Sequence, residues 1–103
     1  HVCDRVEAHV VGMKWLEAGK QSRVFNLGTG HGFSVREVIE KSRAVTNRPV
    51  PFEEGPRRPG DCTRLVSGSA RAAEELGWRP RRSTLEAMIA DAWRWHQNGH
   101  YEK

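Results

Sequence analysis

Long apolar runs are missing from this sequence. None approaches the roughly 18 residues that a helix needs to cross a bilayer, and the opening His1-Val2-Cys3-Asp4 has no signal-peptide pattern. Membrane insertion and secretion are therefore not expected, and a cytoplasmic location is. Cysteine is scarce too: Cys3 and Cys62, with 58 residues between them, make neither a disulfide framework nor a C-x-x-C zinc or redox pair. The sole tyrosine, Tyr101, has Lys103 two residues on, a spacing that does not share a helical face, so no acid-base pair is available and no catalytic residue is assigned. His96 and His100 are four apart, but Gly99 falls between them where a helix should end, and no carboxylate is patterned with them. No metal site is expected. An initiating methionine is also lacking, and the first residues read like the end of a strand, from which a fragment is expected.

What is present is a modest core pattern that alternates helices with short strands. At 103 residues and 37% hydrophobic, the chain is at most one domain. Asp4 and Glu7 have a capping spacing. Val6, Val10, Met13 and Leu16 then recur at helical intervals, predicting a helix over about 5–18 whose apolar stripe packs in the core and which Gly19 stops. The best-specified stretch follows, Arg-Val-Phe-Asn-Leu-Gly-Thr-Gly-His-Gly-Phe-Ser-Val-Arg-Glu over 23–37. Val24, Phe25 and Leu27 suit a strand, the glycines at 28, 30 and 32 suit a turn, and Ser34 with Glu37 forms an S-x-x-E capping box. The helix it opens should bury Val35, Val38, Ile39 and Val45 and end at Asn47-Arg48-Pro49.

Beyond it, 50–53 reads as an edge strand because Pro51 has no amide to donate, and 63–66 as a weak strand. A short helix over 70–76 closes at Gly77, with Trp78 as a packing anchor. Ser83 and Glu86 form another S-x-x-E box, opening a last helix with Leu85, Met88, Ile89, Ala92 and His96 on one side. Trp93 and Trp95 point to different sides of that helix, which leaves at least one of them partly exposed.

Two stretches have a bearing on chemistry. A strand, a glycine loop and a helix N-terminus describe a phosphate cradle. However, Gly28-x-Gly30-x-Gly32 is not G-x-G-x-x-G, and no Walker lysine follows, so a turn-making role is preferred and no cofactor-binding residue is assigned. The loop Gly55-Pro56-Arg57-Arg58-Pro59-Gly60-Asp61 is the stronger candidate. Two prolines restrict it, and a rigid loop loses less entropy on ligand capture. The Arg58 guanidinium suits a diphosphate and the Asp61 carboxylate suits ribose hydroxyls. An Arg58–Asp61 surface pair within a turn is the competing reading of the same spacing.

Taken together, His1-Val2-x-Asp4 with Ala8-His9, Phe25-Asn26-Leu27-Gly28-Thr29-Gly30 with Ser34-Val35, Arg57-Arg58-Pro59-Gly60-Asp61, Glu75-Leu76-Gly77-Trp78 and Asp91-Ala92-Trp93-Arg94-Trp95-His96 resemble the C-terminal part of the UDP-glucose 4-epimerase family, within the extended short-chain dehydrogenase/reductases. The resemblance runs over nearly the whole chain. It implies an α/β fold of four helices with short strands, residues 1–103 forming a single C-terminal substrate lobe with the Rossmann domain missing. It also implies that Arg58 and Asp61 contact the UDP diphosphate and ribose. The family oxidises the sugar at C4 by hydride transfer to bound NAD, with a tyrosine base assisted by a lysine, and returns the hydride to the other face of the 4-keto sugar. The dinucleotide fingerprint and the Tyr-x-x-x-Lys pair are absent from this chain, as is the phosphate-contacting arginine expected just before His1.

The implied parent is thus an isomerase of galactose metabolism that interconverts UDP-glucose and UDP-galactose with NAD. It is expected to be a homodimer, and this portion is expected to be inactive alone with no NAD of its own. The same lobe of a related sugar-nucleotide dehydratase, decarboxylase or uronate epimerase is the nearest alternative. A small basic module that contacts nucleic acid is a more distant one. The net charge of +4 and Arg79, Arg81 and Arg82 motivate that second alternative, while the interspersed Glu74, Glu75, Glu86 and Asp91 oppose it.

Overall fold

A computed structural model describes residues 1–99. Its helices are α1 (Val2–Glu17), α2 (Val35–Thr46), a π-helical turn (Ala72–Leu76) and α3 (Leu85–Asn98). Among the described residues no segment forms a strand. The expected strands at 24–27, 50–53 and 63–66 are therefore corrected to segments without a ladder, because a strand exists only through a paired neighbour and none is present. The chain divides into two compact units, His1–Gly32 with Leu65–Ser83 and Phe33–Arg64 with Thr84–Lys103.

In the first unit, α1 begins at Val2, three residues earlier than the spacing predicts, because the His1 ring caps it by accepting from the Cys3 amide (3.1 Å). Asp4 is thereby released from capping its own helix. The helix ends where Gly19, at φ 80°, sends its amide back to the Leu16 carbonyl. Its buried residues are Asp4 and Ala8, and Val6, Val10, Met13 and Leu16 are all exposed. The expected packing of that stripe is overturned, since α1 packs through Ala8 onto a small cluster with Ala72 and Trp78, joined by Phe25, Leu27 and Leu76. Trp78 is the anchor that the sequence predicts, 4% exposed, and its indole N–H donates to the Asp4 carbonyl (2.8 Å).

The three glycines of the second stretch serve this packing. A Cβ on Gly28 would lie 2.1 Å from the Ser67 carbonyl oxygen, and one on Gly32 would lie 2.7 Å from a Val66 methyl. Gly30, at φ 77°, donates its amide to the same Ser67 carbonyl. Two backbone segments thus touch where side chains would keep them apart.

In the second unit, the capping box at α2 forms in full: the Glu37 amide donates to Ser34 Oγ and the Ser34 amide to Glu37 Oε2, both at 3.1 Å. Asn47 closes α2 in the left-handed conformation, φ 52°. None of the residues of α2 is fully buried. Ile39 and Val45 are half-buried, but Val35 and Val38 are exposed, contrary to expectation. The last helix is capped by Thr84, which accepts from the Ala87 amide (3.2 Å), one residue after the predicted Ser83. Leu85 is its one buried residue, Met88 and Ile89 are half-buried, and Ala92 and His96 are exposed. Of its two tryptophans, Trp95 is the exposed one.

Candidate functional site

The candidate site is the 55–61 loop, and its shape follows from two residues. Pro59 presets φ at the second position of a four-residue turn, and Gly60 at the third adopts φ 87°, which is the residue pattern of a type II turn. The Asp61 amide closes the turn on the Arg58 carbonyl at 3.3 Å. The two ends of the turn are Arg58 and Asp61, so their side chains emerge side by side, with Arg58 Nε 3.0 Å from Asp61 Oδ2. The structure therefore brings the two predicted residues together.

Both lie in solvent, with side chains 86% and 50% exposed, so the pair itself contributes at most about 1 kcal/mol to stability. What it offers is reach and preorganisation. Because the contact runs through Nε, the far edge of the guanidinium points away from Asp61 and is shaped to take two oxygens of a phosphate. The second carboxylate oxygen of Asp61 can accept from a hydroxyl.

The chain leading into the loop is tied to α2. Arg36 pairs with Glu54, Arg43 donates to the Val50 carbonyl (2.8 Å), and the Arg43 guanidinium lies 5.5 Å from the centre of the Phe52 ring. These side-chain anchors hold 50–54 in place of the ladder bonds that Pro51 cannot make.

Asp4 is the polar residue that sequence reasoning misplaced. It is 3% exposed, and its carboxylate receives the Arg81 amide (3.1 Å), the Arg82 amide (2.9 Å) and the Ser83 hydroxyl (2.6 Å). Burial alone would raise its pKa. The Ser83 hydroxyl and then the two amides outweigh burial and hold the carboxyl below its ordinary 3.8. This commitment explains why Ser83 does not cap α3. No short-range spacing marks the contact, whose partners are nearly 80 residues apart in sequence.

In the glycine stretch, the chain itself fills the space beside Gly28 and Gly32. Among the described residues no group of three His, Cys, Asp or Glu side chains is placed to hold a metal ion. No described helix is long and apolar enough to cross a membrane. His100, Tyr101 and Lys103 lie outside the described residues.

No family model matches the chain. Individual proteins do. It is 47% identical over 97 residues to a UDP-glucose 4-epimerase of Halalkalibacterium halodurans, and 46% identical over 93 residues to one of Corynebacterium glutamicum. These alignments cover 94% and 90% of this chain but 29% and 28% of the relatives, so the chain spans less than a third of their length. A crystal structure of the Bifidobacterium longum UDP-glucose 4-epimerase in complex with NAD+ and UDP superimposes with a TM-score of 0.85 at 36% identity, over 97% of this chain and 30% of that one. In sequence and fold alike, the chain matches the C-terminal portion of UDP-glucose 4-epimerases.

Proposed function

We propose that residues 1–103 are the sugar-nucleotide-binding lobe of a UDP-glucose 4-epimerase, and that Arg58 and Asp61 hold the UDP. The observation that carries this reading is the Pro59-Gly60 turn, which places an arginine and a carboxylate 3.0 Å apart on an exposed rim of a chain similar to a UDP-bound epimerase. Arg58 swings its free edge onto the diphosphate and gives up part of its contact with Asp61. The carboxylate then turns to the ribose hydroxyls. Charge-assisted hydrogen bonds of this kind contribute roughly 1.5–3 kcal/mol each, so the exchange of a solvent-screened pair for a ligand is favourable.

The parent enzyme interconverts UDP-glucose and UDP-galactose with NAD. The residues present here do not fit the dinucleotide, because the one glycine-rich loop is closed by Ser67 and Val66. The NAD site and the catalytic tyrosine and lysine therefore belong to the portion outside this chain, and this lobe alone does not epimerise. A cytoplasmic, homodimeric parent is part of the same proposal. The relatives and the solved structure reported above are all UDP-glucose 4-epimerases, which favours that parent over a dehydratase, decarboxylase or uronate epimerase.

Titration of the labelled chain with UDP, followed by NMR, tests the binding claim. Shifts should centre on residues 57–61 and be lost in Arg58→Ala and Asp61→Ala. A spectrum that UDP leaves unmoved there would sink the assignment.

A further inference from the structure

The second unit holds a pocket that shares no residue with the 55–61 loop. It measures about 540 Å³ and is open to solvent, between the C-terminal end of α2 and the later turns of α3. The chain leaves α2 through Asn47, left-handed at φ 52°, and the next residues, Arg48, Pro49 and Val50, line one part of the pocket. Ile89, Ala92 and Trp93 of α3 line another, at the i, i+3, i+4 spacing that puts them on one helical face. His96 continues that face, and its ring stacks on Trp93 with centroids 5.5 Å and planes 22° apart.

The walls are apolar and the charge lies at one edge. Ser42 and Thr46 also line the pocket, but their hydroxyls donate to the Val38 and Ser42 carbonyls (2.7 and 2.6 Å), so their protons are committed to α2. The donors left to meet a ligand are the Arg48 guanidinium and the His96 ring. Arg48 is exposed and makes no ion pair with a described residue; the contact it does make is with the Trp93 ring, 6.0 Å from the centroid, at the outer limit of a cation–π interaction. Among the described residues no carboxylate lines the pocket. A concave site of this size, with apolar and aromatic walls and few polar groups, has the make-up of a small-molecule site.

We infer that this pocket binds a planar aromatic carboxylate, its ring on the apolar walls beside Trp93 and its carboxylate on Arg48. Charge complementarity sets the class. One guanidinium with no competing acid matches one negative charge, whereas a phosphate dianion would leave a charge uncompensated. The last carbonyls of α2 repel an anion, so the carboxylate has to sit on Arg48 and not over the helix end. A guanidinium there can take both carboxylate oxygens side by side. The inference stands apart from the epimerase reading, which uses none of these residues.

The test follows the labelled chain by NMR with 2-naphthoate as probe, 2-naphthylmethanol as its uncharged counterpart and acetate as the charge without the ring. Naphthoate should bind saturably and shift the Trp93 indole N–H together with Val50 and Ile89. Naphthylmethanol should bind roughly tenfold more weakly or worse, the loss of one charge-assisted pair, and acetate should leave those signals unmoved. Arg48→Gln should weaken naphthoate binding by about tenfold while leaving naphthylmethanol binding and the melting temperature unchanged, because the exposed guanidinium has no ion pair to lose. Ala92→Glu, at another exposed position, adds a carboxylate to the pocket and should abolish naphthoate binding without unfolding α3.

Equal affinity for the two naphthyl probes would overturn the inference, as would an Arg48→Gln chain that takes naphthoate at native affinity or naphthoate shifts that centre on 57–61. Self-association of the chain that Ala92→Glu disperses would assign the pocket to a second copy, with the same consequence. UDP should leave Trp93 unmoved; UDP shifts at Trp93 would make this pocket part of the UDP site and end its claim to a separate ligand.

Discussion

Asp4 and Asp61 are the same side chain put to opposite ends. Asp4 is buried in the first unit and fully occupied, with two backbone amides and a hydroxyl aimed at its oxygens. Asp61 is half exposed in the second unit and paired with one arginine across a turn. A carboxylate withdrawn from water must be compensated by fixed donors, and its energy is then committed to the fold. One left at the surface contributes little to the fold and stays available to a ligand. The difference separates a residue that holds structure from one that can hold substrate, although both look alike in sequence.

Substitutions that exchange these roles would break the contrast. Asp4→Ala should show the largest effect, a loss of about 3 kcal/mol in urea unfolding. Hydrogen bonds to a charged group contribute roughly 1.5–3 kcal/mol each, and rehydration of the released amides returns part of that. Acid should reproduce the loss in the native sequence. Because the pKa of Asp4 is lowered on folding, its stabilisation is fully present above its ordinary 3.8 and disappears as pH falls through the lower folded value. A melting series from neutral pH downward should therefore drop more steeply for the native chain than for Asp4→Asn. Equal slopes would mean that Asp4 is not the group responsible.

Smaller effects belong to the second unit. Ser34→Ala removes one half of the capping box and should cost about 1 kcal/mol, with the loss of helicity confined to α2. Arg58→Ala should change stability least, within about 0.5 kcal/mol, while abolishing the UDP shifts. A large destabilisation by Arg58→Ala would remove the distinction between the two aspartates.

Much of the site was legible in advance because its geometry is local. Pro59-Gly60 dictates a tight turn, and a tight turn sets Arg58 beside Asp61. The capping box at Ser34 and Glu37, the stops at Gly19 and Gly77 and the anchoring role of Trp78 were readable for similar reasons. Ser83 was misread because its hydroxyl is claimed by Asp4 from the far end of the unit, which passes the cap to Thr84. The stripe on α1 was misread because helical periodicity reveals an apolar face without revealing what covers it.

The sequence by itself therefore determined the elements whose bonds close within a few residues: caps, turns, helix ends and the pairing of Arg58 with Asp61. Only the tertiary structure decided what those elements meet. It showed that 23–27 has no ladder partner among the described residues, that Ser67 and Val66 take the space beside Gly28 and Gly32, and that Asp4 caps a segment nearly 80 residues away. Short-range hydrogen bonds depend on residue type and spacing alone. Burial and strand pairing depend on which distant surface arrives, and no local pattern encodes that.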